Sequence, residues 1–135
     1  MKKIVIDLNI LLDFLDKRDF HQQAAAILQL IENKKAQGFV CAHAISTLSY
    51  FLEKSPLHRA FSKQVITTFL DIFEVLEINE SVLRDALRSP LTDFEDAIIE
   101  AASAKNSVDY IITRNLKDFQ KSQILALSPS QFLNL

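Results

Sequence analysis

Short unbroken apolar runs punctuate the chain: Ile4-Val5-Ile6, Phe39-Val40-Cys41-Ala42, Tyr110-Ile111-Ile112 and residues 124–127. Runs of this length without alternation predict strands covered on both faces. Residues 74–78, Glu-Val-Leu-Glu-Ile, alternate instead and predict a further strand. Between these runs the apolar residues recur with helical spacing. That spacing predicts helices over 9–16, 21–37, 45–54, 59–72, 81–88 and 94–105, and a closing helical turn over 129–133. Ala24, Ile27, Leu28 and Ile31 form the apolar side of the second helix, with Gly38 as its expected stop. Pro56 and Pro90 bound two of the others. Strands alternate with helices from end to end, the order of a parallel sheet sandwiched by helices.

At 135 residues and 49% apolar composition the chain is expected to form one domain, 1–135, with a real core. Its net charge of −2 gives no general basic footprint, so nucleic-acid binding would have to come from local patches or metal ions. Gly38 is the sole glycine. Phosphate-cradling loops need several, so a Walker A loop and a dinucleotide fingerprint are excluded. The single cysteine, Cys41, excludes an internal disulfide and suits a small buried hydrophobe. No apolar run reaches membrane-spanning length, and the expected location is cytoplasmic, with no leader and no membrane partner.

In open parallel sheets ligands sit outside the carboxyl ends of the strands. Asp7 ends the first strand and Thr113-Arg114-Asn115 the fourth. A buried unpaired carboxylate is costly, so Asp7 is expected to face a solvated crevice. Asp93, Asp96 and Glu100 fall on one helical stripe beside Ala97, Ala101 and Ala104, at the border of the packed face. Acids also suit a helix start for capping and dipole reasons, Thr92 with Glu95 fits a capping box, and Glu100 alone reads as a solvated acid. Acids at several strand ends and helix starts of one domain predict a Mg²⁺ site. Asn9 is placed to orient a carboxylate or cap the short helix, and Thr113 to hydrogen-bond Asp7 or form a turn. Arg114, Lys117 and Lys121 are candidate RNA phosphate contacts or plain surface charge. His21, His43 and His58 lack metal-ligand spacing, and the phenylalanines read as core.

Residues 4–13, IVIDLNILLD, together with 93–119, DFEDAIIEAASAKNSVDYIITRNLKDF, and the LSPSQFL ending resemble the PIN-domain family, which includes VapC-type toxins and RNA-processing nucleases. The resemblance covers nearly the whole chain. It implies a three-layer α/β/α sandwich with a central parallel sheet of four to five strands, and RNA cleavage assisted by Mg²⁺ or Mn²⁺ held by three or four acids. Asp7 matches the first metal-binding acid and Asp96 the central helix acid; Asp93 is an extra acid nearby. Asn115 stands where many members have the fourth acid, with Asp118 just beyond. Thr47, in CAHAISTLSYFLEK, stands where the family has a Glu. The resemblance further implies a toxin–antitoxin role, with an antitoxin protein and a homodimer as partners. Two alternatives stand beside it: a PIN fold with weakened catalysis acting as an RNA- or protein-binding module, and a haloacid-dehalogenase-like phosphatase. The latter usually has a second Asp where Asn9 stands.

Overall fold

A computed structural model describes residues 1–135. Five strands form one sheet: β1 (Lys2–Ile6), β2 (Ala36–Cys41), β3 (Glu74–Leu76), β4 (Tyr110–Ile112) and β5 (Leu125–Leu127). Their order is β3-β2-β1-β4-β5, and every pairing is parallel. Seven α-helices flank it: α1 (Leu8–Asp16), α2 (His21–Glu32), α3 (Ala42–Lys54), α4 (Ser62–Ile72), α5 (Glu80–Leu87), α6 (Phe94–Lys105) and α7 (Pro129–Leu133). No helix is long and apolar enough to cross a membrane.

The unbroken apolar strands now have a physical account. Ile4, Ile6, Val40 and Ile112 point to one face and pack with Ile10 and Leu11 of α1, Ile27 and Leu28 of α2, and Leu48 and Leu52 of α3. Val5, Phe39, Cys41 and Ile111 point to the other and pack with Val82 and Ala86 of α5 and with Ala97, Ala101 and Ala102 of α6. Two cores thus sandwich the sheet, and the inner strands β1, β2 and β4 are apolar on both sides. Cys41 is a buried member of the second.

The largest departure from the sequence reading lies at 33–38. The helix predicted to run to Gln37 ends at Glu32, and β2 starts at Ala36, three residues earlier than expected. Lys34, with φ 58°, supplies the left-handed turn that a glycine usually supplies. Gly38 is no helix stop. It lies inside β2, where a Cβ would meet Ile31 Cδ1 at 2.6 Å, so its missing side chain lets α2 approach the sheet. Other shifts are smaller. Ala42 begins α3 instead of ending β2, and β3 stops at Leu76. Residues 59–72 split into a 3₁₀ turn, Arg59–Phe61, and α4. The expected Thr92–Glu95 capping box is absent: Asp93 caps α6, its Oδ1 accepting from Asp96 N at 3.0 Å. Ala104 is exposed, not part of the packed stripe.

The chain builds β1, β2 and β3 outward in one direction, then returns to place β4 on the other side of β1. The carboxyl ends of β1 and β4 therefore flank the reversal point, the place where such sheets bind ligands.

Candidate functional site

Asp7 follows β1 directly. Its backbone N–H donates to Ile112 O of β4 at 3.0 Å, so sheet pairing fixes where the residue sits. Its carboxylate caps α1, with Oδ1 accepting from Leu8 N at 2.8 Å. Oδ2 accepts from Thr113 Oγ1 at 2.7 Å and from Asn9 Nδ2 at 3.3 Å. Asn9 also reaches Thr113 Oγ1 at 3.3 Å, while Thr113 Oγ1 accepts from Asn115 N at 3.0 Å. Asn9 and Thr113 thus fasten the ends of β1 and β4 into one polar knot around the Asp7 carboxylate.

Asp96 arrives from the opposite layer, on the first turn of α6. Asp7 and Asp96 line one crevice of about 230 Å³ together with Asn9, His43, Thr47, Glu95 and Asn115. The Asp96 side chain has no hydrogen-bond partner within the protein, unlike that of Asp7. Burial, followed by repulsion from Asp93, Asp7, Asp118 and Glu95, pushes its carboxyl up to about 7. Asp7 is also raised, by burial above all, with the Thr113 and Leu8 hydrogen bonds opposing. The Cys41 thiol beneath is pushed up to about 12 by burial and by Asp7, which makes it inert as a nucleophile.

The remaining candidates separate. Asp118 sits in a 3₁₀ turn, Leu116–Phe119, near enough to raise both Asp7 and Asp96. Asp93 caps α6 and, with Asp118, borders a neighbouring recess. Thr47 does face the crevice, but its hydroxyl donates back to His43 O at 3.1 Å. Arg114 turns away. Its guanidinium grips the buried Asp13, Nε to Oδ2 at 2.5 Å and Nη2 to Oδ1 at 3.2 Å, and stacks over Phe20. Only its backbone meets the knot, donating to Asn9 Oδ1 at 3.4 Å. Glu100 is neither solvated nor in the crevice. It is 3% exposed, accepting from Ser89 Oγ at 2.6 Å and from Gln123 N at 2.8 Å.

Two crevice residues carried little weight in the sequence. Glu95 was read only as a cap partner, although a third acid in the first turn of α6 was a signal that one would face the crevice. His43 has a buried Nδ1 without a partner, and burial lowers its pKa, so the ring is neutral at neutral pH. No three Asp, Glu, His or Cys side chains converge tightly enough to form a ready-made ligand cage. The carboxylates that line the crevice are Asp7, Glu95 and Asp96, with Asp118 near enough to act on Asp7 and Asp96.

A parallel α/β sandwich with opposed carboxylates at its switch point defines a class of acid-lined α/β domains. Within that class a PIN-domain profile matches residues 3–117, and the chain belongs to the PIN-domain family. The fold agrees with solved structures of that kind. A toxin–antitoxin complex from Klebsiella pneumoniae is 24% identical, with a TM-score of 0.71 over 93% of this chain and 97% of that one. DNA-bound VapBC from Salmonella typhimurium is 18% identical, with a TM-score of 0.69 over 96% and 99%. VapBC2 from Rickettsia felis, bound to a promoter DNA fragment, is 14% identical, with a TM-score of 0.70 over 93% and 97%. A search of curated proteins by sequence finds no match.

Proposed function

We propose that residues 1–135 act as one unit, a divalent-metal-dependent ribonuclease that serves as the toxin of a toxin–antitoxin pair. The observation that carries this reading is the meeting of the Asp7 and Asp96 carboxylates in one crevice. They stand 89 positions apart in sequence and meet in one crevice, and burial, followed by repulsion from Asp93, Asp7, Asp118 and Glu95, raises the Asp96 carboxyl to about 7. The donor set suits Mg²⁺ or Mn²⁺. It is hard oxygen, the ligand type of an ion that keeps several waters and takes one or two carboxylates. Asp7 and Asp96 would hold the ion, with Asp118 and Asp93 in supporting roles. The chemistry such an ion would supply there is polarisation of a phosphodiester and acidification of an attacking water.

The chain's own groups do the rest. Leu8 N, Asn9 and Thr113 hold the Asp7 carboxylate in one orientation. Asp96 makes no side-chain hydrogen bond within the protein, which leaves its oxygens available to a ligand in the crevice. Asn115, exposed at the mouth, offers an amide donor to a phosphate oxygen. The proposed partners are RNA, an antitoxin protein and a second copy of the chain; the antitoxin part draws support from the toxin–antitoxin complexes among the structural neighbours. Thr47, where the resemblance implies a Glu, favours a second reading, a PIN fold with weak catalysis that binds RNA or protein.

Single-stranded RNA incubated with the protein and Mn²⁺ tests the proposal. Asp96→Asn and Asp7→Asn are each expected to lose at least about 100-fold in rate with an unchanged circular dichroism spectrum. Asp96→Asn is the cleaner variant, because Asp7 also caps α1. Full activity in Asp96→Asn overturns the site. Calorimetric titration of Mn²⁺ separates the second reading, since a binding module with a lost site takes up no metal. In the nuclease reading Thr47→Glu tightens Mn²⁺ binding by roughly tenfold, about 1.4 kcal/mol.

A further inference from the structure

Beside the carboxylate crevice lies a second recess of about 470 Å³. Its walls are two segments, one running into the helix that carries Glu95 and Asp96 and one following β4. Pro90, Thr92 and Asp93 lead into α6 and Asp96; Lys117, Asp118 and Lys121 follow the knot at Thr113. We propose that this recess is a substrate subsite for single-stranded RNA: it seats the sugar–phosphate next to the scissile bond, and Lys117 and Lys121 pair with its phosphate. The proposal rests on the nuclease reading for the position of the cut and deepens it by giving the strand a path.

The distribution of positive charge points there. Lys117 and Lys121 form no salt bridge, although Asp93 and Asp118 line the same recess. The other cations nearby are committed. Arg88 and Lys105 both pair with Asp85, at 2.8 and 3.4 Å, and Arg114 holds Asp13. A chain of net charge −2 whose crevice is lined by acids repels a polyanion, so a strand needs local cations on a phosphate beside the cut. These two lysines are the uncommitted cations placed to supply them. Thr92 adds an uncharged hydroxyl suited to a phosphate oxygen or a 2′-hydroxyl. The surface is a recess, not a ridge. A flexible single strand can fold its backbone into it, whereas a duplex holds its phosphates on a stiff convex cylinder.

The test is binding without cleavage. Fluorescence anisotropy with a fluorescein-labelled single-stranded RNA, in chelator and in the Asp96→Asn background, is run over a series of salt concentrations. Lys117→Gln/Lys121→Gln is expected to weaken binding at least tenfold and to flatten the slope of log Kd against log salt by about 1.4, two phosphate contacts at about 0.7 each. Lys34→Gln/Lys35→Gln makes the same charge change at the turn before β2, at the opposite edge of the sheet, and is expected to leave the slope unchanged. Equal losses in the two double variants would mean diffuse attraction and would overturn the subsite. So would a duplex of the same length that binds as tightly as the single strand. Lysine-dependent binding by a protein that cuts no RNA with Mn²⁺ would leave the subsite standing and remove the nuclease reading instead.

Discussion

Asp13 and Asp96 are both carboxylates drawn into the protein, and their surroundings could hardly differ more. Asp13 is 1% exposed and lies against a bidentate guanidinium from Arg114, with Arg18 Nη1 4.0 Å away. Asp96 is half-buried among four other acids and has no cation at all, and its carboxyl rises to about 7. Glu100 belongs with Asp13, since a hydroxyl and a backbone N–H satisfy it. The contrast separates two uses of a carboxylate in one domain. Where the chain supplies the counter-charge or the donors, the acid holds elements together: Asp13 ties α1 to the segment after β4, and Glu100 ties α6 to the loops at Ser89 and Gln123. Where the chain supplies only more acids, the carboxyl is pushed towards its protonated form, and in the proposed function a cation takes the proton's place.

The sharpest way to break the comparison is to strip Asp13 of its partner. Arg114→Ala leaves a carboxylate buried and uncompensated. The expected loss of stability is about 3 kcal/mol, at the low end for a broken buried pair because Arg18 can move in. Asp13→Leu/Arg114→Met removes both charges and should lose distinctly less than Arg114→Ala alone. Urea denaturation measures both. If the double variant is the less stable, Asp13 has a role beyond pairing with Arg114.

Glu100→Ala comes next. It leaves Gln123 N–H and the Ser89 hydroxyl without their acceptor and opens a small cavity in the second core, at an expected cost of about 2–3 kcal/mol. Mn²⁺ should stabilise this variant by as much as it stabilises the wild type, because Glu100 does not reach the crevice. A variant that loses its response to Mn²⁺ would put Glu100 back among the site residues.

The sandwich was legible in the sequence because burial on both faces leaves a mark that local propensity cannot hide. Strands such as Ile4-Val5-Ile6 must be apolar throughout, and parallel pairing needs helices between them. The failure at 33–38 has an equally local cause. Lys34 takes the left-handed conformation with no glycine to announce it, and Ala36 and Gln37 suit a helix as well as a strand. The glycine that looked like a helix stop answers to a long-range contact with Ile31, invisible to any window of neighbours. That Asp7 and Asp96 would face one crevice was legible from position alone, at the end of a strand and the start of a helix. Glu100 misled because spacing of four was taken as shared surroundings. Four residues along α6 advance about 6 Å, enough to leave the carboxyl edge of the sheet for the Ser89 and Gln123 loops. Arg114 misled because its partner, 101 positions away, left no trace near it in sequence.

The smallest expected effect concerns Asp96 and gives the comparison its sign. An unfolded aspartate titrates near 3.8, while the folded Asp96 does so at about 7, so between those values the native chain binds the extra proton. Stability of the metal-free protein should therefore fall as pH rises from about 4 to about 7 and level off above. The side chain is partly open to solvent, so screening reduces the change to about 1–2 kcal/mol. Asp96→Asn carries no charge to titrate and should remove this part of the slope, melting above the wild type at pH 8 in chelator. A cation inverts the order: with saturating Mn²⁺ only the wild type gains the full binding free energy, and it should melt higher. Asp13 predicts the opposite pattern for a compensated acid, with Asp13→Asn destabilising in chelator and in Mn²⁺ alike. Thermal melts of these three proteins at pH 5 and pH 8, with chelator and with Mn²⁺, decide between the two. Should Asp96→Asn melt below the wild type at pH 8 in chelator, Asp96 is as structurally committed as Asp13, and its crevice is not waiting for a cation.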